Sequence, residues 1–216
     1  MKQDATSDLC RLTGSRGTFV KSHLLPKALT RPSSPGSPYI ESGMGRRPVR
    51  RWDSWFDSKL VTREGEDILS ELDAAGIAEL RRLKLVWSGR SDKDADPIPD
   101  FCDEISGVGI RIISKIDVHA LRLFFLSLLW RSAASKRPEV SQICIPAHRL
   151  EDLRRMLVER RHMPIAVHPF VLTQLTQVGD VHNHAPMAIT MPPVMLNGKR
   201  SKPIPAFRFY FDGTNR

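Results

Sequence analysis

Cysteine is scarce in this 216-residue chain: Cys10, Cys102 and Cys144 are the whole complement. Three scattered thiols do not make a disulfide framework, and by themselves they fall short of the four N/S ligands of a structural zinc site. A reducing cytoplasm is the expected compartment. Long hydrophobic runs are lacking too. The longest, VHALRLFFLSLLW at 118–130, is interrupted by His119 and Arg122 and is shorter than the ~18 apolar residues that a membrane span needs. It is expected to be a buried core helix, with no membrane partner. The opening MKQDATSDLC has no apolar core of the kind a signal peptide carries, so none is expected. No internal repeat is evident. Acidic residues are rare in the first quarter: residues 1–51 hold ten Lys/Arg against Asp4, Asp8 and Glu41, which gives that segment +7 of the net +9 charge.

With 41% hydrophobic residues, the chain has enough apolar material for a folded core. Its pI near 9.9 implies a positive surface potential that attracts polyanions, nucleic acid ahead of anionic lipid. Charge identifies the class of partner and leaves the individual polyanion open.

Residues 10–29 place Gly14 and Gly17 around a turn and then Phe19, Val20, Leu24 and Leu25 around a polar centre, a pattern that predicts a knuckle followed by a strand. Residues 31–51 are rich in Pro, Ser, Gly and Arg and are expected to form a long, mobile, basic loop. From Arg63, Ile68, Leu69 and Leu72 and then Ile77, Leu80 and Leu83 recur at helical spacing, with Gly76 as the expected break between two helices. The polar stretch 88–99 reads as a boundary. Beyond it, helices are expected at about 117–135 and 148–161, the latter with Leu150, Leu153, Leu157 and Val158 on one side. Short strands are expected at MAITM and FRFYF.

The chemistry-bearing residues are Ser22-His23-Leu24-Leu25-Pro26-Lys27 and, after the basic segment, the run from Asp57 to Glu66. Their order and spacing resemble the HNH (beta-beta-alpha metal) endonuclease family. A bacterial branch with an SHxxPK-type motif and a downstream apolar "llWR" helix is the nearest likeness, the helix matching Leu126-Ser127-Leu128-Leu129-Trp130-Arg131. The resemblance covers about residues 10–160. It implies an α+β fold: a beta-beta-alpha metal (HNH-like) core with its basic loop at 1–87, then a helical layer and short C-terminal strands at 100–216. It puts His23 in the general-base position, Asp57 in that of the central Asn and Glu66 in that of the last His. The family's paired CxxC knuckle corresponds to Cys10-Arg11-Leu12-Thr13 and Thr62-Arg63-Glu64-Gly65. Three of the four thiolates are missing, so no structural zinc is expected.

What the resemblance implies chemically is metal-dependent hydrolysis of nucleic-acid phosphodiesters, DNA ahead of RNA, in phage-defence or mobile-element chemistry. Imidazole suits the base, with an ordinary pKa of about 6.5. Glu66 and Asp57 would hold Mg or Mn weakly, Asp57 alternatively orienting His23. Lys21, Lys27, Arg46, Arg47, Arg50 and Arg51 are candidate phosphate contacts, and Trp52 and Trp55 beside them can stack on bases.

Plainer readings stand beside these. An acid in the first turn of a helix, such as Glu66, is favoured by the helix dipole alone. Asp57 can cap a turn, and the arginines can form a solvated basic loop with the tryptophans anchored in the core. Arg131, Arg154 and Arg155 are expected to cap helices or pair with Glu151 and Glu159. His182 and His184 have no acidic or cysteine partner at ligand spacing and read as a solvated loop. The competing function is a catalytically inactive HNH-derived subunit that binds nucleic acid, a protein partner or a second copy of itself.

Overall fold

The computed structural model describes residues 9–30, 38–43, 46–86, 98–105, 107–164, 166–174, 182–193, 195–196 and 199–210. The class is α+β. Among the described residues there are three α-helices and several small sheets, mostly antiparallel. No helix among them is long and apolar enough to cross a membrane.

The N-terminal part begins with a tight turn: Gly14 donates to the Cys10 carbonyl and Cys10 to the Ser15 carbonyl, with Gly14 at φ +73°, a backbone state that glycine adopts without strain. The chain then runs antiparallel to 55–63. Its paired segments are β1 (Ser22–His23) and β4 (Phe56–Asp57), with Ser22 opposite Asp57 and His23 opposite Phe56. Bonds from Leu24 to Trp55, Val20 to Val61 and Arg63 to Thr18 continue the ladder on both sides. The expected knuckle and strand are therefore present.

Residues 31–51 differ from the expected loop. β2 (Tyr39–Gly43) and β3 (Arg46–Arg51) form an antiparallel ribbon, and β7 (His182–His184) adds to β2 in parallel. Composition points to a loop here because the segment is rich in Pro, Ser, Gly and Arg and the third strand, β7, lies some 140 residues away; Pro48 is tolerated since β3 is an edge strand. Residues 31–37 and 44–45 of the segment lie outside the described residues. His184, expected in a solvated loop, belongs to this sheet and is half-buried.

A single helix, α1 (Arg63–Arg82), replaces the two expected on either side of Gly76. The glycine serves packing. A Cβ at position 76 would lie 2.3 Å from Cβ and 2.4 Å from Cγ of Phe124, so only a glycine lets α2 (Val118–Ala134) approach so closely. α2 follows expectation: Asp117 caps it through Ala120 N–H, and Leu121, Phe124, Leu128 and Trp130 are buried. α3 (Ala147–Val158) buries Leu153, Met156 and Leu157.

One hydrophobic cluster runs from Cys10 and Leu12 through α1 and α2 to Leu157 and Ala185. Segments 1–87 and 100–216 thus share a core. Of the stretch read as a boundary, 88–99, residues 88–97 lie outside the described residues. β5 (Phe101–Cys102) pairs with β6 (Gly109–Ile110), β8 (Met187–Met191) with β11 (Ile204–Arg208), and β9 (Met195–Leu196) with β10 (Lys199–Arg200).

Candidate functional site

Ser22 and His23 point to opposite sides of β1, as neighbours on a strand must. That alternation divides the site into an outer and an inner half. On the outer side, His23 is 20% exposed and its Nε2 lies 3.0 Å from Oδ1 of Asp53. Lys21, two residues before His23, donates to Oδ2 of the same carboxylate, and Lys27 Nζ stands 3.4 Å from Oδ1. The Lys21 ammonium also sits 3.9 Å from the centre of the Phe56 ring, the residue paired with His23. Burial pushes the Asp53 carboxyl up, but hydrogen bonds and charge from Lys21 and His23 outweigh it and hold the group well below the usual carboxylate range. Asp53 is therefore an anion whenever the protein is near neutral pH. An anion at Nε2 favours the tautomer that carries its proton there, which leaves the Nδ1 lone pair to accept.

On the inner side, Ser22 is fully buried and Glu66, in the first turn of α1, lies against it. Burial raises the Glu66 carboxyl, opposed by the Ser22 hydroxyl and by the Arg131 charge. Among the described residues, neither the Ser22 hydroxyl nor Oε2 of Glu66 has a partner at ordinary hydrogen-bond geometry. Arg131, 2% exposed, joins the two halves. Its guanidinium donates to the His23 carbonyl (3.1 Å), to Oδ1 of Asp73 (2.5 Å) and to the Ser127 hydroxyl (3.2 Å). Burial raises the Asp73 carboxyl against the pull of Arg131. A buried arginine so paired fixes the backbone of His23 from behind.

The three residues read from the sequence as catalytic are thus treated differently. His23 and Glu66 lie on the two sides of β1, close enough that the charge of one acts on the other. Asp57 turns away from the imidazole: it faces Ser22 across the pair, accepts from Lys59 N–H (2.8 Å) and from the Ser135 hydroxyl (2.7 Å), and so ties a turn to the end of α2. The carboxylate at His23 is Asp53, four residues earlier. Asp53 and Asp57 both fit the motif by order, and only the strand register separates them. Arg131, expected to cap a helix or pair with Glu151 or Glu159, instead pairs with Asp73, a residue the sequence did not single out. The signal for Arg131 was one of two cations in an otherwise apolar helix, where burial demands a charged partner. Arg154 and Arg155 pair with Glu151 as expected, and Arg155 also pairs with Asp152 where Glu159 was expected.

Of the basic candidates, Arg47 and Arg50 are exposed on β3, and Arg51 pairs with Glu41 across the ribbon at 3.2 Å. The Arg46 side chain lies outside the described residues. Trp52 is 70% exposed, whereas Trp55 is buried in the core.

The knuckle positions also converge. Cys10 Sγ accepts from the N–H groups of Thr13 (3.5 Å) and Thr62 (3.4 Å), and a Cβ at Gly65 would lie 2.7 Å from it. Burial of the thiol raises its pKa, but these bonds outweigh it and the net shift is downward. One sulfur occupies the space between all four positions.

Whether the inner half fits Mg or Mn follows from its donors. Glu66 offers one carboxylate and Ser22 a neutral hydroxyl, while the neighbouring guanidinium of Arg131 repels a dication. Both oxygens of Asp57 are engaged, and Asp53 is already shared by two lysines and His23. Among the described residues no group of three or more His, Cys, Asp or Glu side chains is arranged to hold a metal ion. This donor set does not fit a resident divalent cation.

Comparison with protein-family models, with curated proteins and with solved structures finds no match for the chain.

Proposed function

We propose that the chain is an HNH-type endonuclease that hydrolyses nucleic-acid phosphodiesters, with His23 as general base. The observation that carries this reading is the His23–Asp53 pair on a half-exposed strand flanked by Lys21 and Lys27. A base needs a lone pair and a fixed ring, and a carboxylate at Nε2 provides both, on a side chain that is 20% exposed. The convergence of Cys10, Thr13, Thr62 and Gly65 is what a knuckle that once held a metal would leave, and supports descent from the beta-beta-alpha metal core. Asp53 is a positioning residue. The edge ribbon with Arg47, Arg50 and Trp52 offers phosphate contact and base stacking, with DNA as the first substrate to examine. Supercoiled plasmid incubated with wild-type and His23→Ala protein tests the reading: nicking by the first and not by the second is expected.

The second reading is a non-hydrolytic HNH-derived subunit that binds nucleic acid or another protein. Ser22 favours it, since a neutral hydroxyl stands where a metal ligand would be useful. It predicts salt-sensitive binding and no cleavage.

A further inference from the structure

The donor set that repels a dication raises the question of what neutralises the phosphate. We propose that Lys21 and Lys27, converging on Asp53 beside His23, form a phosphate clamp that takes the place of a divalent cation at this site. The inference rests on the nucleic-acid reading above and goes beyond it by removing the metal from the reaction.

The argument is one of counting donors and charge. Each ammonium has three N–H donors, and each lysine directs its head at one carboxylate, which leaves donors on both for a second anion. The side chains are 44% and 42% exposed, so that anion can arrive from solvent without rearrangement. With Asp53 ionised, the two lysines leave a net positive charge at the cluster, and the cation–π contact holds Lys21 over Phe56, whose ring centre lies 6.2 Å from that of His23. Asp53 fixes the two ammonium groups and the imidazole together, the preorganisation that electrostatic catalysis requires.

In the resulting step, a water bound beside the clamped phosphodiester gives a proton to Nδ1 of His23. Its oxygen bonds to phosphorus, and the bond from phosphorus to the leaving sugar oxygen breaks with its electron pair. That oxygen takes a proton from a clamp ammonium, and the lysine regains one from solvent as His23 releases its own. The sum is one water consumed per phosphodiester, with nothing oxidised or reduced.

The test uses the full chain, plasmid and a fluorescein-labelled oligonucleotide, with EDTA or Mg, and compares wild type, Lys21→Gln/Lys27→Gln and His23→Ala. Thermal unfolding first shows that the exposed lysine substitutions leave the fold intact. Cleavage in EDTA at no less than about a tenth of the Mg rate, lost by about 100-fold or more in the double lysine variant, is the expected result. Cleavage that requires His23 but drops below about a tenth in EDTA overturns the clamp and leaves the endonuclease reading standing. EDTA-resistant cleavage that survives the lysine substitutions overturns it as well. If the wild type cleaves in neither buffer, the endonuclease reading fails and binding decides the clamp. A slope of log affinity against log salt that is shallower by about 2 in the double variant supports it. An unchanged slope overturns it.

Discussion

Nε2 of His23 and Oδ1 of Asp53 stand 3.0 Å apart, linking β1 to the turn that feeds β4. Without Asp53 the imidazole loses its fixed tautomer and Lys21 and Lys27 lose their common anchor. Asp53→Asn is expected to lower kcat by about 100-fold with little change in KM, and to alter the pH–rate profile. Partial rescue by Asp53→Glu separates positioning from a merely structural role. Unchanged kcat in Asp53→Asn contradicts it.

The same carboxylate makes acid stability readable. Its folded pKa is depressed from the ordinary 3.8, so its contribution is complete above that value and is lost as the pH falls through the folded one. Glu66 and Asp73 act oppositely, because their raised carboxyls weigh on the fold at high pH and are relieved as protons bind. In urea titrations, the stability difference between wild type and Asp53→Asn should shrink from about pH 4 to about pH 2. A constant difference contradicts the assignment.

Arg131 is needed by the fold as well as by the site. Arg131→Ala leaves the half-buried Asp73 without its cation and the His23 carbonyl without its donor, at a cost toward the lower end of about 3–5 kcal/mol. Pairing Arg131→Met with Asp73→Leu should recover most of that stability, since a packed apolar pair replaces a desolvated ionic one. Activity is not expected to return with it, because the backbone of His23 stays unanchored.

Gly76→Ala sets helix propensity against packing. Propensity favours alanine by about 1 kcal/mol, but the new Cβ would stand 2.3 Å from that of Phe124, and overpacking costs about 1–3 kcal/mol. Destabilisation is expected in chemical denaturation. A stabilised variant would show that α1 and α2 can move apart at little cost.

This helix pair also shows what could be read without coordinates. The spacing of Leu69, Leu72, Ile77 and Leu80 carries the helix itself, since that period is a local property of the chain. Gly76 misleads for the same reason: its purpose is a contact with a helix some 50 residues on, which no local pattern records. Strand β1 and the Cys10 knuckle were legible through motif order and turn glycines. The arginine ribbon was not, because its composition resembles a loop and its β-structure is completed by β7. In the candidate site, residue types at a spacing brought out His23 and Glu66, which the structure sets on the two sides of β1, whereas choosing Asp53 over Asp57 as the neighbour of the imidazole requires knowing that Asp57 pairs with Ser22.

The ribbon carries its own prediction. Arg47→Ala with Arg50→Ala should weaken nucleic-acid binding evenly across sequences and reduce the salt slope by about 2, whereas Trp52→Ala should cost about 1–3 kcal/mol on single strands through lost stacking. Filter binding or fluorescence anisotropy over a salt series measures both. Unaltered binding in both variants would remove β3 from the interface.

The general-base role proposed for His23 is tested most directly by plasmid nicking with wild-type and His23→Ala protein of matched thermal stability. The account predicts cleavage by the wild type and a loss of about 100-fold or more in the variant. Equal cleavage by the two proteins, or none by either, would contradict it.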